Sequence, residues 1–366
     1  MKKIKIAIDV SPLKDANRFR GVGSYTKNLV DALQRLVEED KKYSNWQISL
    51  IENCKPASPA GGLKIENFSV VHYPYFNPFF LTLPKRGNVP IVVTVHDLMP
   101  LKFPEHCPPG IKGKLRWFAQ KNRLKKIDAI ITDSQNSKKD IVEIIDYPEN
   151  QIHVIHLAPA LNFEVIKSSS ILQSIEVKYG LPKEFVLYVG DVNWNKNVPG
   201  LVKACEKIDI PLVIVGKQAV SKDYNMAHIE NRDLVWLQNK YKRRKKKLFL
   251  LGFVPTKDLV AIYNLATVYC QPSFYEGFGL PVLEAMACGC PVVSSNRGSL
   301  PEICGKAALM FNPQRKGKIG DALQKIIENK KLAVDLSKRG LIQAKKFSWR
   351  KTAQETLNIY DKLCRS

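Results

Sequence analysis

One stretch of the sequence constrains the fold more than any other: residues 273 to 297, SFYEGFGLPVLEAMACGCPVVSSNR. An acidic residue, Glu276, is followed by a glycine-rich turn and by Pro281, whose fixed φ and missing N–H suit the first turn of a helix. That helix is predicted to hold Glu284 in its first turn and to end at Gly289. The apolar run after it predicts a buried strand, so the stretch is expected to form a loop, a helix and a strand in succession.

The residue types in this stretch favour a ligand that carries both phosphates and hydroxyls. Free backbone N–H groups and the helix dipole at the predicted N-terminus favour an anion such as a phosphate. The two carboxylates, Glu276 and Glu284, are instead suited to accept hydrogen bonds from hydroxyl groups. A nucleotide sugar offers both kinds of group. The alternative is an ordinary strand, loop and helix with a capping glutamate.

The spacing of the two acids, with GFGLP between them and EAMACGCPVV after them, resembles the E-x7-E motif of the family 4 (group 1) retaining glycosyltransferases. The resemblance extends over nearly the whole chain. It implies an α/β protein with the GT-B fold, in which two doubly wound Rossmann-like domains face each other across a cleft. It also implies a nucleotide sugar as co-substrate, linked to GDP or UDP, and no other cofactor.

Length and charge restrict the class of protein further. A chain of 366 residues predicts two domains, and a hydrophobic fraction of 45% is sufficient for globular cores. Lys and Arg number 57 against 34 Asp and Glu, a net charge of +23, so an anionic partner is expected. Nucleic acid, anionic lipid and a phosphorylated substrate are the alternatives that charge alone leaves open.

Three features predict a cytoplasmic protein, with peripheral contact on the cytoplasmic face of a membrane left open. The first ten residues, MKKIKIAIDV, predict a strand rather than a signal peptide. A run of about 18 apolar residues, which a membrane span would need, is absent. The eight cysteines are scattered without the spacing of a zinc pair, which predicts reduced thiols.

The pattern of strands and helices, together with the resemblance, predicts four segments. Residues 1–163 are expected to form an N-terminal, acceptor-side Rossmann-like domain, and residues 164–183 an interdomain linker. Residues 184–346 are expected to form a C-terminal Rossmann-like domain that binds the nucleotide sugar. In the GT-B fold a terminal helix, here residues 347–366, crosses back to the first domain.

In the first predicted domain, two glycines and a histidine are candidate ligand contacts. Gly21 and Gly23 are predicted to lie between a strand and a helix, where GVGSYT lacks the third glycine of a dinucleotide fingerprint. A plain turn is the alternative, but the family has a glycine-rich loop here that faces the donor. His96 lies at the end of a predicted strand, where ligands bind in open α/β sheets. The alternative is a structural histidine, whereas the family's histidine at this place contacts the donor sugar.

In the second predicted domain, Lys196 occupies a strand-to-helix loop that is well placed to hold phosphates. The family usually has Arg-Lys-Asn here, and many members carry an arginine just after the preceding glycine. This chain instead has Asn195, and Asp191 follows Gly190, so one of the usual positive charges is missing. Lys217, at the end of the next predicted strand, is a spare candidate for that charge.

The resemblance assigns a role to each candidate residue. His96, Lys196 and Glu276 are the expected catalytic residues, with Glu276 holding sugar hydroxyls near the reacting face. Glu284 is expected to accept from the ribose hydroxyls. The other expected substrate-binding residues are Gly21, Gly23, Gly190, Phe253, Val254, Phe278, Gly279 and Leu280, of which Phe253 and Val254 would hold the nucleobase through main-chain atoms. No metal is expected, because no Asp-x-Asp motif follows an apolar strand.

Two segments concentrate the positive charge. Residues 110–127 predict a basic amphipathic helix with Trp and Phe, which can lie on an anionic membrane surface. Residues 240–247, KYKRRKKK, form the densest charge run. Solvated surface is the alternative for both. A lipid-linked, phosphorylated acceptor at a membrane would account for them.

Together these features predict a metal-independent, retaining hexosyltransferase that acts on a glycan or lipid-linked acceptor in polysaccharide synthesis. Mannose from GDP-mannose is favoured, because the HDL and GDVNWNKN segments resemble those of mannosyltransferases that build bacterial surface polysaccharides. The alternatives are a nucleotide-sugar epimerase or a phosphorylase on the same fold, and a basic nucleic-acid-binding protein. We expect no specific nucleic-acid partner.

Overall fold

The computed structural model describes residues 3–14, 21–52, 65–85, 87–243 and 247–365. The chain divides into two compact units, Met1–Ala158 together with Phe347–Ser366, and Pro159–Lys346. Arg18, Phe19 and Arg20, which the sequence predicts to lie in a polar loop, are outside the described residues, as are residues 244–246 of the second basic segment.

Each unit contains one six-stranded sheet in which every described strand pairing is parallel. The strand order is β2-β1-β3-β4-β5-β6 in the first unit and β12-β11-β10-β7-β8-β9 in the second. Most strands are short runs of Val, Ile and Leu, which suits a parallel sheet covered by helices on both faces. The strands are β1 Ile4–Asp9, β2 Trp46–Ile51, β3 Val70–Tyr73, β4 Ile91–Thr94, β5 Ala129–Thr132, β6 Ile152–Val154, β7 Val186–Val189, β8 Leu212–Val215, β9 Leu248–Gly252, β10 Val268–Gln271, β11 Val292–Ser295 and β12 Leu309–Phe311.

Helices follow most of the strands, so the chain repeatedly alternates strand and helix, as doubly wound sheets require. They are α1 Gly21–Glu39, α2 Met99–Lys102, α3 Gly110–Leu124, α4 Gln135–Ile145, α5 Ser169–Tyr179, α6 Val198–Lys207, α7 Arg232–Arg243, α8 Thr256–Leu265, α9 Leu280–Ala287, α10 Leu300–Cys304, α11 Lys318–Glu328, α12 Lys330–Ala344 and α13 Trp349–Arg365. No described helix has both the length and the apolar character needed to cross a bilayer.

The prediction that Gly21 and Gly23 lie in a loop is wrong, because both residues are in the first turn of α1. Gly23 is buried, and it begins the same inward-facing row as Thr26 and Val30. The Thr26 hydroxyl donates to the carbonyl of Val22 at 2.9 Å, one turn back. The apolar period of the helix therefore extends through the glycines.

The last helix, α13, packs against α1 within the first unit. Its buried face includes Trp349, Ala353 and Tyr360. The Tyr360 hydroxyl lies 2.6 Å from Nδ1 of His72, a fully buried residue of β3. The end of the chain is therefore joined to the sheet by a polar contact as well as by apolar packing.

The segment expected to link the domains, residues 164–183, contains helix α5, which packs against α8 in the second unit. Ser168 caps the start of α5 by accepting from the N–H of Ile171, and Gly180 ends it in the left-handed conformation. This segment is therefore an ordered part of the second unit's surface.

Candidate active site

The carboxylate of Glu276 lies a few residues beyond the carboxyl end of β10 and is almost completely surrounded by hydrogen-bond donors. The side-chain amide of Gln271 donates to its Oε1 at 2.8 Å, and the Ser273 hydroxyl donates to the same oxygen at 2.6 Å. All three residues are buried. The carbonyl oxygen of the Gln271 amide accepts in turn from the Tyr269 hydroxyl, so the donor to Glu276 is held in one orientation.

The ammonium group of Lys196 completes this cluster. Its Nζ lies 2.8 Å from both Oε1 and Oε2 of Glu276, so it donates to the two oxygens together. The side chains are 24% and 9% exposed, which makes the pair accessible from one side only. The sequence predicted separate roles for the two residues, and the structure brings them into direct contact.

Two asparagines hold the loop of Lys196 against the loop of Glu276. The side-chain amide of Asn195 donates to the carbonyl of Tyr275, and that of Asn197 donates to the carbonyl of Pro272, both at 3.1 Å. The N–H of Phe274 donates back to the carbonyl of Asn195 at 2.7 Å. Asn195, which stands where the family usually has arginine, is therefore a buried tie between the loops.

A second pair of residues supports the glycine-rich turn after Glu276. The Ser299 hydroxyl donates to the carbonyls of Glu276 and Phe278, at 3.1 and 2.7 Å. The spacing of Ser299 and Glu302 predicts the start of a helical turn, and Ser299 is indeed the N-cap residue of α10, although its side chain makes no capping hydrogen bond to that helix. At Gly298, with φ +60°, a Cβ would lie only 2.6 Å from the carbonyl oxygen of Glu276. The backbone of Gly298 therefore packs directly against the glycine-rich turn that follows Glu276.

The glycine-rich turn leads into α9 as predicted. Gly279 has φ +100° and forms the N-cap without a side-chain hydrogen bond, and a proline lies in the first turn. The helix ends with Gly289 in the left-handed conformation. Phe278 is buried, whereas Leu280 is partly exposed. The start of α9 therefore has the backbone geometry expected of an anion site.

Glu284 is in the second turn of α9, one turn later than predicted, because the helix begins at Leu280. Its Oε2 accepts from the hydroxyl of Tyr263, a buried residue of α8, at 3.0 Å. Burial raises the pKa of the Glu284 carboxyl to about 7, although the bond from Tyr263 acts in the opposite direction. Glu284 is therefore poised between its neutral and charged forms near neutral pH.

The remaining predicted residues of the second unit lie at the ends of β7 and β9. Gly190 has φ +148°, and its N–H donates to the carbonyl of Val215 at 2.9 Å. After β9, Phe253 is 62% exposed and Val254 is buried. Lys217, the spare candidate cation, is exposed just after β8.

In the first unit, His96 lies two residues after β4 and has an acceptor at each ring nitrogen. Nδ1 lies 2.7 Å from Oδ2 of Asp133, and Nε2 lies 3.2 Å from the carbonyl oxygen of Pro74. Burial lowers the pKa of His96, but the Asp133 carboxylate, with smaller contributions from Asp97 and the Pro74 carbonyl, outweighs burial and raises it above 6.5. A carboxylate and a carbonyl only accept hydrogen bonds, so the protonated ring, with a donor at each nitrogen, satisfies both contacts.

Four of these functional contacts were missed by the sequence reasoning: Asn195, Gln271, Ser273 and Asp133. One pattern could have found two of them. Gln271 and Asp133 are polar residues at or just beyond the carboxyl ends of apolar strands, where side chains face the ligand side of an open α/β sheet. Among the described residues, no group of three His, Cys, Asp or Glu side chains is placed to hold a metal ion.

The structure divides the predicted site residues between the units. His96, Gly21 and Gly23 belong to the first unit, and all the others belong to the second. Within the second unit, Lys196 and Glu276 are in direct contact. Tyr263, the partner of Glu284, is one of the aromatic residues packed around Tyr269, whose hydroxyl bonds to Gln271.

Comparison with known protein families identifies the class of protein. Residues 174–342 match the model of "Glycosyl transferases group 1", and residues 60–158 match that of "Glycosyltransferase Family 4". The O-antigen chain mannosyltransferase B of Escherichia coli is 30% identical over an alignment that covers 98% of this chain and 99% of that protein. The chain therefore belongs to the family 4, or group 1, glycosyltransferases.

Solved structures show the same fold. The sucrose-phosphate synthase of Thermosynechococcus elongatus superposes with a TM-score of 0.75 at 21% identity, over 99% of both chains. HepE of Anabaena, solved in complex with UDP and glucose, superposes with a TM-score of 0.72 at 16% identity, over 98% of this chain and 99% of that one. The two doubly wound parallel sheets are thus those of the GT-B fold, as predicted.

Proposed function

We propose that this glycosyltransferase moves mannose from GDP-mannose to a glycan or lipid-linked acceptor during synthesis of a bacterial surface polysaccharide. The name of the full-length relative, an O-antigen chain mannosyltransferase, supports both the sugar and the pathway class. The observation that carries the chemistry is the contact of Lys196 with Glu276, held by Gln271 and Ser273.

Transfer breaks the bond between the sugar C1 and the diphosphate, so negative charge grows on the leaving oxygen. Lys196, the N–H groups of Gly279 and Leu280, and the positive end of α9 would stabilise that charge. An ammonium group has three donors that rotate about its terminal carbon–nitrogen bond, so Lys196 would exchange one of its present contacts for a phosphate oxygen of the donor. The leaving group would then be neutralised by the protein, without a metal ion.

The two acids would hold the rest of the donor. Glu276 would accept from sugar hydroxyls near the reacting face, and Glu284 would accept from the ribose hydroxyls. None of the site residues is an obvious base for the acceptor hydroxyl. We therefore assign its proton to the departing phosphate oxygen on the same face, which gives retention of anomeric configuration. His96 would contact the donor sugar only by exchanging its 3.2 Å bond to the Pro74 carbonyl.

Calorimetric or thermal-shift titration with GDP-mannose, UDP-glucose and a dTDP-sugar tests the donor. At a concentration about 100 times its Kd, the true donor should add about 2.7 kcal/mol of stability. Products formed with and without an acceptor glycan, with the new linkage read by NMR, test the reaction. Selective binding of a UDP-sugar would reject GDP-mannose, and turnover without an acceptor would favour an epimerase or phosphorylase. Salt-sensitive duplex binding without donor binding would favour a nucleic-acid-binding protein.

The acceptor belongs to the same proposal. The net charge of +23 supports a phosphorylated, lipid-linked acceptor reached by peripheral contact with the cytoplasmic face of an anionic membrane. A phosphorylated lipid-linked acceptor should therefore be used more efficiently than the same glycan without the lipid phosphate, and the difference should shrink as salt rises.

A further inference from the structure

Helix α3 of the first unit exposes a row of large apolar side chains that the fold leaves uncovered. Ile111, Leu115 and Phe118 are 82%, 69% and 71% exposed. Their spacing of four and three places them within an arc of about 60° on the helix surface. The opposite side of α3, with Gly113, Gln120 and Leu124, is the side that the first unit buries.

A turn beside α3 carries two further exposed apolar side chains. Phe80 and Leu81 are 60% and 57% exposed. The side-chain amide of Gln120 holds the turn against the helix by donating to the Asn77 carbonyl at 3.2 Å and the Thr82 hydroxyl at 2.8 Å. The Arg116 guanidinium lies 5.7 Å from the centre of the Phe80 ring. These contacts fix the turn to the helix, and we call the five exposed side chains the α3 patch: Phe80, Leu81, Ile111, Leu115 and Phe118.

The charge around the α3 patch is of one sign. The 15 residues of α3 contain five Lys and Arg and no Asp or Glu. Lys112 and Arg116 lie on one flank of the apolar row and Lys114 on the other, and all three are exposed. Long basic side chains beside an apolar row can reach lipid headgroups while the row enters the acyl boundary. The apolar row would gain nothing on a nucleic-acid backbone, where charge contacts dominate.

We propose that the α3 patch docks on an anionic lipid surface, with Ile111, Leu115 and Phe118 inserted and the flanking cations on lipid phosphates. An exposed apolar surface of this kind marks an interaction site, and the surrounding charge selects an anionic partner. The purpose of docking rests on the proposed function, since it would bring the enzyme to a lipid-linked acceptor. The docking itself rests on the α3 patch alone.

Vesicle flotation of the full chain tests the proposal. Vesicles of phosphatidylcholine are compared with vesicles in which about one-third of the lipid is phosphatidylglycerol. The protein should float with the anionic vesicles and less so as salt rises. Replacing two inserted side chains, Leu115→Ser with Phe118→Ser, should lower partitioning on the order of tenfold or more. Reversing two flanking charges, Lys112→Glu with Lys114→Glu, should lower it on the order of tenfold.

Matched variants outside the α3 patch separate this surface from a general effect of charge or hydrophobicity. Val177, 76% exposed on α5, and Lys338, exposed on α12, belong to the second unit. Val177→Ser and Lys338→Glu should leave flotation unchanged. The proposal is overturned if these controls reduce binding as strongly as the patch variants. It is also overturned if the Leu115 and Phe118 double variant binds like the wild type, or if the wild type does not float with anionic vesicles.

Donor binding measured on the same proteins keeps this inference apart from the proposed function. The patch variants should bind GDP-mannose with the wild-type affinity, because α3 contributes no residue to the donor site described above. Intact donor binding without vesicle binding would reject the docking surface and the membrane contact proposed for the acceptor, and it would leave the proposed transfer of mannose from GDP-mannose standing. Vesicle binding without any nucleotide-sugar binding would support the docking surface and reject the proposed function.

Discussion

At the scale of single residues, the cluster around Glu276 decides what the site can do. Two neutral donors and one ammonium group bind one carboxylate, and all of them are largely shielded from water. An electrostatic contact is stronger in such surroundings than in bulk solvent. The cluster therefore presents a cation of fixed position next to the turn that opens α9.

Replacement of Lys196 by alanine should lower kcat on the order of 10²–10³-fold, by analogy with the loss of one oxyanion donor. Backbone N–H groups and the end of α9 remain, so turnover should persist at a low level. Lys196→Arg should recover only part of the lost turnover, because a planar guanidinium group with donors in a fixed arrangement replaces a compact ammonium group. Steady-state kinetics with and without EDTA measure both effects.

Lys217→Ala is the matched control for this experiment, since Lys217 follows the neighbouring strand β8 and is exposed. It should retain most of its turnover, and EDTA should leave the wild type unaffected. A larger loss at Lys217 than at Lys196, or loss of activity in EDTA, would show that the leaving-group charge is neutralised elsewhere.

Glu284 should make the unfolding free energy depend on pH. Its folded pKa is about 7 and its ordinary value is 4.5. Between these values the folded state binds the extra proton, so the contribution of Glu284 to stability is largest below pH 4.5 and is lost as pH rises towards 7. The total loss is about 3 kcal/mol at most. Glu284→Gln should remove this contribution, as urea unfolding at a series of pH values would reveal. A Glu328→Gln variant, altered at an exposed site, should keep the wild-type slope.

At the scale of elements, the two loops after β7 and β10 are held together by side-chain contacts. Asn195 and Asn197 join the loops through side-chain to backbone bonds, and Ser299 joins the second loop to the start of α10. Trp194 and Phe274 stack with their ring centres 5.5 Å apart. The positions of Lys196 and Glu276 therefore depend on four connections that are made by other side chains.

Gly298→Ala should displace the turn after Glu276 and reduce turnover by at least about tenfold, since a Cβ there would lie 2.6 and 2.8 Å from backbone atoms of Glu276. Gly317→Ala is the matched control, with φ +83° and open space around the new Cβ. Both variants should lose about 1–2 kcal/mol of stability through left-handed strain. Only Gly298→Ala should have a lower kcat than the wild type. Equal kinetics in the two variants would argue against a crowded turn.

At the scale of the whole molecule, each unit has its own sheet and core, and the end of the chain belongs to the first unit. The imidazole of His72 joins β3 to two other elements, through Thr94 at 2.8 Å and Tyr360 at 2.6 Å. Burial lowers the pKa of His72 to about 3, so the ring is neutral and offers one donor and one acceptor. Both are used in these contacts.

Tyr360→Phe should therefore destabilise the first unit by about 1–3 kcal/mol, because it leaves a buried ring nitrogen without a partner. Tyr224→Phe is the control, since that hydroxyl bonds to Gln238 in a partly exposed place. It should change stability by less than about 0.5 kcal/mol. Chemical denaturation of both variants measures the difference, and a small effect at Tyr360 would mean that apolar packing alone holds α13.

The sequence by itself determined the elements and the family, because apolar periodicity, helix caps and the acid spacing are local properties of neighbouring residues. It predicted α3 and the terminal helix α13, and it predicted the loop and helix from Glu276 to Gly289. Only the tertiary structure decided that Lys196 contacts Glu276 and that Asp133 holds His96, since these pairs are 80 and 37 residues apart. It also showed that Gly21 and Gly23 belong to α1, and that the side chain of Ser299, the N-cap residue of α10, bonds to the glycine-rich turn and not to its own helix. Such contacts depend on which strand ends meet at one edge of a sheet, and strand order is a non-local property that spacing along the chain does not encode.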